Sequence, residues 1–497
     1  MNFLSEPAPA HEDLRDWLAR VDKLGELKVI RGADWDLEMA GLAEIVSRQA
    51  KGVAPALLFD EIKGFPRGHR ALFAQLDSVG RLALTLGLSL DRPDKTSCVR
   101  ACRDRLSKLA YLPPRFVERG KVQQNHQQGN AIDLFQLPLP RHHELDGGRY
   151  FGTAHCVITR DPDTGWVNLG TYRCMAFGKD TVGVHMSPGR HGRTARDKYF
   201  ARSEPFPVAV AVGADPALFL ASTMAVPDGV SEYEFAGGLK GRPIDVFEAP
   251  YTKLPVPAHA EIVIEGECVP GETRDEGPFG EWAGYYANNG LEPVREPVLR
   301  VKNLWHRNDP ILTCAQPARP PGYNFAFCVF RSAMIWDELE KAGVPDVRGV
   351  WCHEAGSSRL FNVVAIKQRY PGHSRQAGLI ASQCASGVYI GRYTVVVDDD
   401  IDPTDLADVV WAISTRTDPE TSIGIFRRGR SSSADPAVSP DAKGHSSNPA
   451  AVFTSKAVID ACWPYEWKER AYPVVEVGPD LRRRLLEKWR AEFEGIF

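Results

Sequence analysis

No stretch of about 18 consecutive apolar residues occurs in this 497-residue chain, so no transmembrane helix is expected. The start, MNFLSEPAPAHEDLRDW, has neither a basic n-region nor an apolar h-region, which predicts no secretory leader. Neither sign of charge is in excess: 60 Lys and Arg meet 64 Asp and Glu, a formal net charge of −4. That balance gives no electrostatic reason to wrap nucleic acid or coat an anionic membrane. Ten cysteines are present, but no pair has CxxC spacing and their density is far below that of a disulfide scaffold. They read as reduced thiols, mostly small buried hydrophobes, and the expected location is the cytoplasm. No internal repeat is evident. What remains, 43% hydrophobic and 25% charged residues, is the composition of a soluble globular protein. Its length exceeds one ordinary core, so two or three domains are expected.

Leu14, Trp17, Leu18, Val21 and Leu24 follow helical spacing up to Gly25. A second helix is expected around Leu37–Gln49, a strand at Ala56–Phe59 and a short helix at Arg81–Leu88, so the opening section reads as mixed α/β. Between 132 and 320 the pattern changes to short β-rich runs: Ala154–Thr159, Val167–Phe177, Thr181–His185, Pro207–Val212, Glu261–Cys268 and Val298–Trp305. Their punctuation by Gly, Pro and Asp predicts a twisted antiparallel sheet or barrel. Ser332–Ala342 reads as a linking helix. Strand and helix then alternate (Phe361–Lys367, Ser374–Ser386, Tyr393–Val397, Pro403–Ser414), the order of a βαβ-type unit. Residues 427–450 are Ser/Pro/Gly-rich and predict an exposed loop. A charged final helix is expected over Pro479–Phe493, suited to packing on a partner subunit.

The most informative stretch is Asp275-Glu276-Gly277-Pro278-Phe279-Gly280-Glu281. Gly and Pro exclude a regular helix, and Pro278 favours an extended Gly277. A turn here would bring Glu276 and Glu281 to one site, where two carboxylates push their pKa values apart and leave one able to act as an acid. Two solvated acids on a surface turn is the simpler reading of the pair taken alone. Asn168-Leu169-Gly170-Thr171-Tyr172-Arg173 adds an amide, a relaxed backbone and an arginine able to clamp a carboxylate or phosphate. His191 lies among glycines and arginines, and Ser231–Gly237 offers Glu232 and Glu234. Asn, His and Glu form a mixed N/O set that suits Mn²⁺ or Mg²⁺ better than structural Zn²⁺. The acids at 398–402 lack the glycine and glutamate of an EF-hand and read as a solvated strand end capping the next helix.

These fragments, in this order and over most of the chain from about Leu14 to Ala461, resemble the UbiD family of prenylated-FMN-dependent decarboxylases. Further matching fragments are Pro55–Phe59, Arg81 ahead of Leu86-Gly87-Leu88, Asp146–Tyr150, Gly189-Arg190-His191 and Val397–Pro403. The resemblance implies an α+β fold. An N-terminal mixed α/β section (1–120) leads into a split β-barrel flavin-binding domain (121–325), followed by a linker helix (326–345) and a C-terminal α/β domain (346–497). It implies a metal held by Asn168, His191 and Glu232, with Glu232 preferred to Glu234 for its spacing to Ala236-Gly237. Flavin contacts fall at Thr171, Tyr172, Arg173 and Arg190, with Ser222, Thr223 and Met224 lining the cleft. Arg392 stands where relatives place a phosphate-binding lysine. A nearby K⁺ is a further implied ion. Val167–Cys174 as one regular strand would turn Asn168 and Arg173 to opposite faces, so a bulge or turn is expected near Gly170.

The implied reaction is reversible, non-oxidative decarboxylation of an aromatic, heteroaromatic or α,β-unsaturated acid through a covalent adduct with prenylated FMN. Arg173, Glu276 and Glu281 match the catalytic set. Arg173 orients the carboxylate, Glu276 holds Arg173, and Glu281 protonates the product carbon. Trp282, Phe325, Phe327 and Tyr393 are candidates for the pocket wall, and Arg190, Arg193, Arg196 and Lys198 form a basic loop suited to a larger anionic substrate such as an aryl-CoA thioester. Implied partners are a flavin prenyltransferase that supplies the cofactor, a small acid with its CO₂ product, and copies of the chain in a homodimer or homohexamer, with no nucleic acid or membrane. Carboxylation in an anaerobic pathway, an inactive flavin-binding assembly subunit and a simple FMN oxidoreductase are the competing readings.

Overall fold

The computed structural model describes residues 10–492 apart from 225, 228, 288–289, 323, 440–442, 444–451 and 471. Leu14, Trp17, Leu18 and Val21 form the buried stripe of the helix Leu14–Lys23, which Asp13 caps by accepting from the Arg15 and Asp16 N–H groups. Trp17 Nε1 donates to Thr85 Oγ1 at 2.9 Å, locking this helix onto Val79–Leu86. That second helix stops at Gly87, where φ is +60°. Beside them lies a four-stranded sheet in the order Leu27–Arg31, Ala56–Asp60, Arg70–Phe73, Ile311–Thr313. The last strand arrives from some 240 residues downstream and runs parallel to Arg70–Phe73. The opening section therefore shares its sheet with the β-rich region and is not closed on itself.

Nine strands between Asn125 and His306 form the central sheet, antiparallel in every pairing. Its spine is the hairpin Ile262–Glu276 and Val294–His306, whose first strand runs past the predicted end at Cys268 and whose second starts before the predicted Val298. Gly266, Pro270 and Gly271 read in sequence as breakers. In the structure they fall at two register shifts, between Glu265 and Gly266 and between Cys268 and Thr273. Such bulges bend a strand and re-aim its side chains without ending it, and the strand continues to Glu276. The predicted run Val167–Phe177 divides into Val167–Gly170 and Cys174–Ala176, so Thr171–Arg173 leaves the sheet, as the expected turn near Gly170 requires.

The linking helix starts seven residues earlier than its polar spacing indicates, at Phe325–Lys341, because Phe325, Ala326, Cys328, Val329 and Phe330 are all buried. A helix buried on most sides has no amphipathic period to read. Beyond it lies a five-stranded sheet in the order Val347–Cys352, Phe361–Ile366, Tyr393–Asp398, Phe453–Ala461, Ile423–Arg430, parallel at its centre and antiparallel at both edges. Residues 427–430 complete an edge strand and do not belong to an exposed loop, and Ser431 and Asp435 behind them are buried. Residues 440–450 of that predicted loop lie outside the described residues apart from Lys443. The final helix spans Pro479–Lys488 and is exposed throughout; position 493 of its predicted span is not among the described residues. No described helix is long and apolar enough to cross a membrane.

The helix His373–Gln383 lies on the C-terminal sheet through Gly378, where a Cβ would stand 2.5 Å from Val458 Cγ1 and 2.9 Å from Val396 Cγ2. Gly378→Leu should therefore overpack this interface and cost about 1–3 kcal/mol, read as a lowered melting temperature and denaturation midpoint.

Candidate active site

Glu276 ends its long strand fully buried. The next residue, Gly277, has φ +83°, a left-handed conformation and not the extended one that the following proline favours. Tertiary packing explains the difference. Gly147 presses so closely that a Cβ there would lie 1.9 Å from the Gly277 carbonyl oxygen, and Gly147 N–H donates to Pro278 O at 2.9 Å. The Gly277–Pro278 peptide is cis. The turn closes when Glu281 N–H donates to Tyr285 O and Gly284 N–H to Glu281 O, each at 2.8 Å.

Between the two glutamates stands Arg173. Its Nε and Nη2 donate to Glu276 Oε1 and Oε2 at 2.9 and 2.8 Å, and its Nη1 donates to Glu281 Oε1 at 2.8 Å. The carboxylates are thus bridged by a guanidinium and do not share a proton, which revises the acid-pair expectation. Burial alone would raise the Glu276 pKa, but the charge and hydrogen bonds of Arg173 outweigh it and hold the carboxyl below its usual range. Burial would likewise lower the Arg173 pKa, and Glu276 drives it upward instead. Tyr150 adds a hydrogen bond to Glu276 Oε1 at 3.2 Å; burial and the neighbouring carboxylate keep its phenol protonated. The Phe279 ring covers the guanidinium at 5.3 Å and packs 4.2 Å from the Tyr150 ring. Glu276 is fully enclosed, whereas the Glu281 side chain is 15% exposed.

A second group gathers around the strand Val167–Gly170. Asn168 is buried and donates through Nδ2 to Thr159 Oγ1 at 3.4 Å. His191 opens the helix His191–Ala201 and meets Trp166 edge-on at 5.0 Å. The next residue, Gly192, donates its N–H to Tyr172 Oη at 3.2 Å. Glu232 opens the helix Glu232–Lys240 and accepts from Leu169 N–H at 2.7 Å. Glu234 is already used as the capping-box partner of Ser231, which leaves Glu232 as the available carboxylate. Burial pushes Glu232 up to about 7, and among the described residues no lysine or arginine pairs with it. A buried carboxylate without a cation among the described residues, bonded to the strand that carries Asn168, has the chemistry of a divalent-metal ligand. Thr171 Oγ1 donates to His155 O and lies 3.0 Å from Ser222 Oγ. Thr223 and Met224 follow as the helix Pro216–Ser222 ends.

Comparison with known proteins places this geometry. Residues 18–98, 115–320 and 325–461 match the N-terminal, Rift-related and C-terminal domains of 3-octaprenyl-4-hydroxybenzoate carboxy-lyase. The chain belongs to the UbiD family. It is 32% identical to the pyrrole-2-carboxylic acid decarboxylase of Pseudomonas aeruginosa, over 96% of this chain and 97% of that one. It is similar in structure to the UbiD-class enzyme HmfF of Pelotomaculum thermopropionicum in complex with FMN, with TM-score 0.82 and 28% identity, covering 96% of this chain and 100% of that one. An evolved dimeric form of HmfF in complex with prFMN gives TM-score 0.79 and 28% identity over 96% and 99% of the chains.

Several expected residues of this UbiD-family carboxy-lyase lie elsewhere than the sequence indicates. Arg392 is paired with the buried Asp435 within the C-terminal section. Arg193, Arg196 and Lys198 sit on a helix and not a loop, Arg193 and Arg196 sharing Asp197 and Lys198 pairing with Asp161 and Asp163. Phe325 is core, packed on Trp351; Phe327 lines a small cavity with Gln75, Asp77 and Cys314; Tyr393 is 44% exposed. Trp282 alone of the aromatic candidates adjoins Glu281. In the acidic stretch, Asp398 and Asp400 bond Gln368, Trp463 and Arg416, and Asp405 caps the next helix. Sequence reasoning assigned no role to Tyr150 or Asp435: Tyr150 ends the Asp146–Tyr150 fragment, while nothing marks Asp435 within its polar stretch.

Because the Glu276 pKa lies below its unfolded value, its pairing with Arg173 contributes stability that is complete above about pH 4.3, the usual Glu value, and is lost as pH falls through the folded pKa. Glu276→Gln should cost about 3–5 kcal/mol near neutrality. In denaturant titrations the gap to wild type should narrow in acid; a gap independent of pH would contradict the ionised pair.

Proposed function

We propose that this site decarboxylates an aromatic, heteroaromatic or α,β-unsaturated acid with prenylated FMN as its cofactor. The observation that carries the reading is Arg173 bridging an enclosed Glu276 and a partly open Glu281. Three of the five guanidinium N–H groups are engaged by the glutamates, and the others remain to orient a substrate carboxylate. Both Glu276 oxygens accept hydrogen bonds, so Glu276 stays ionised and fixes Arg173. Glu281 offers Oε2, since Oε1 is taken by Arg173, and that atom delivers the proton to the carbon that loses CO₂. Prenylated FMN, when bound, supplies the electron sink that an sp² carbon lacks. Thr171, Ser222, Thr223 and Met224 would border it, with Arg190 toward its anionic end.

Asn168, His191 and Glu232 would hold Mn²⁺ or Mg²⁺, which balances phosphate charge. A flavin prenyltransferase would supply the cofactor, and the same residues serve carboxylation by microscopic reversibility. With Arg193, Arg196 and Lys198 already paired with aspartates, a CoA thioester is not part of this reading. The exposed apolar stripe Leu481, Leu485 and Trp489 on the final helix supports a homo-oligomer in which this helix is covered by another copy.

Protein co-expressed with the prenyltransferase should release CO₂ from aromatic acids, and protein made without it should not. Glu281→Gln should keep its flavin and lose at least about 10²-fold in kcat. Wild-type turnover in that variant would remove Glu281 as the proton donor.

Chelation, or Glu232→Gln, should weaken flavin retention, measured as bound flavin absorbance after gel filtration. Full retention in both would contradict the metal assignment.

A further inference from the structure

The fragment Asp146–Tyr150 grips both ends of the turn that carries Glu281. At the start of the turn, Tyr150 Oη donates to Glu276 Oε1 at 3.2 Å and Gly147 N–H donates to Pro278 O at 2.9 Å. At its end, Tyr286 Oη donates to Asp146 Oδ1 at 2.8 Å. Between these anchors the turn lies against the chain at 317–319. A Cβ at Gly284, where φ is +80°, would stand 2.8 Å from Arg319 Cα, and one at Gly280 would stand 3.6 Å from Pro317 Cβ. Glu281 therefore sits in the middle of a turn whose two ends are tied to one short fragment far upstream.

The Asp146 carboxylate is suited to holding the turn. Its side chain is fully buried, and its neighbour Arg141 is directed to Asp36 instead. Asp146 Oδ2 accepts from the His143 N–H at 3.0 Å, which leaves Oδ1 for the Tyr286 phenol. Burial would raise the Asp146 pKa, but hydrogen bonds from His143 and Tyr286 and the neighbouring imidazoles outweigh it and hold the carboxyl below its usual range. Burial and this carboxylate in turn keep the Tyr286 phenol protonated. A phenol donating to an enclosed, ionised carboxylate makes a charge-assisted bond, about twice as strong as a neutral one.

We propose that Asp146 and Tyr286 are positioning residues for proton delivery: their bond fixes the far end of the turn, and with it the arc through which Glu281 Oε2 reaches the carbon that loses CO₂. The inference rests on Glu281 as the proton donor and deepens that reading. CO₂ leaves without its bonding electron pair, the carbon keeps that pair and takes the proton from Glu281, and Glu281 recovers a proton from water; Tyr286 keeps its own throughout. With the Tyr286 bond removed, the turn stays fixed at its start and is loosened at its end, so Glu281 spends less time in line with the carbon.

Tyr286→Phe removes the hydroxyl alone. In the cofactor-loaded enzyme it should lower kcat about tenfold, the scale of one charge-assisted hydrogen bond, with KM and bound flavin near wild type. Asp146→Asn, which keeps an acceptor oxygen for the phenol, should retain most of the rate. Added to Glu281→Gln, Tyr286→Phe should slow turnover no further, because both act on one proton transfer. In the purified protein without substrate, hydrogen–deuterium exchange should be faster over residues 279–287 in Tyr286→Phe and unchanged over 168–173. Wild-type kcat or unchanged exchange in Tyr286→Phe, or a fall in kcat that merely follows loss of flavin, would overturn the clamp and leave Glu281 as the donor. Wild-type turnover in Glu281→Gln would instead remove the donor itself, and the role of the clamp with it.

Discussion

A guanidinium and two carboxylates taken out of water are tolerable only as a hydrogen-bonded set, and the central fold is arranged around that requirement. Removing Arg173 would strand the buried Glu276 carboxylate. Arg173 reaches both glutamates because the chain leaves the sheet between Gly170 and Cys174. Glu276 meets it because the long strand survives two register shifts, and Glu281 meets it because the next turn is pinned against Gly147. Three distant backbone irregularities therefore serve one ionic contact.

The same break in the strand separates two chemistries. Asn168 lies before it, next to Leu169, whose N–H donates to Glu232; Arg173 lies after it, bonded to both glutamates. Glu232 opens its helix, where the N-terminus favours negative charge, yet burial pushes its carboxylate upward. Desolvation outweighs the helix terminus at this position. A divalent cation would reverse that balance by pairing the carboxylate directly, while the Arg173 set already holds its own cation. Under the proposed function the Glu232 side would depend on an added ion, whereas the Arg173 side is complete in the polypeptide.

Elements with a clear period were legible in the sequence: the helix Leu14–Lys23, the strands Ala56–Asp60 and Phe206–Val212, and the alternating units after residue 345. Motif order pointed to Arg173, Glu276 and Glu281 before any distance was known. What the sequence hid has physical causes. The buried start of Phe325–Lys341 has no polar face to set its phase. The extension of Ile262–Glu276 runs through Gly and Pro residues that mean a stop in isolation and a bulge when a partner strand continues beside them. The left-handed Gly277 packs its carbonyl on Gly147, 130 positions away, and no local rule contains that contact. The ionic partner of Arg392 was equally hidden, since Asp435 sits in a Ser/Pro-rich stretch whose composition reads as solvent-exposed.

The unequal settings of the two glutamates follow from where each sits on the backbone. Glu276 occupies the last position of a strand that is paired along its length, accepts from Arg173 twice and from Tyr150 once, and cannot move without exposing a buried charge. Glu281 is carried by a short turn held by two backbone hydrogen bonds and touches Arg173 through one oxygen. An acid that must approach a carbon, release a proton and later recover one needs a free oxygen and a short lever; a residue that fixes a guanidinium needs neither. Exchanging the two positions would keep the composition of the site and lose its division of labour, because the strand end cannot supply the movement and the turn cannot supply the rigidity.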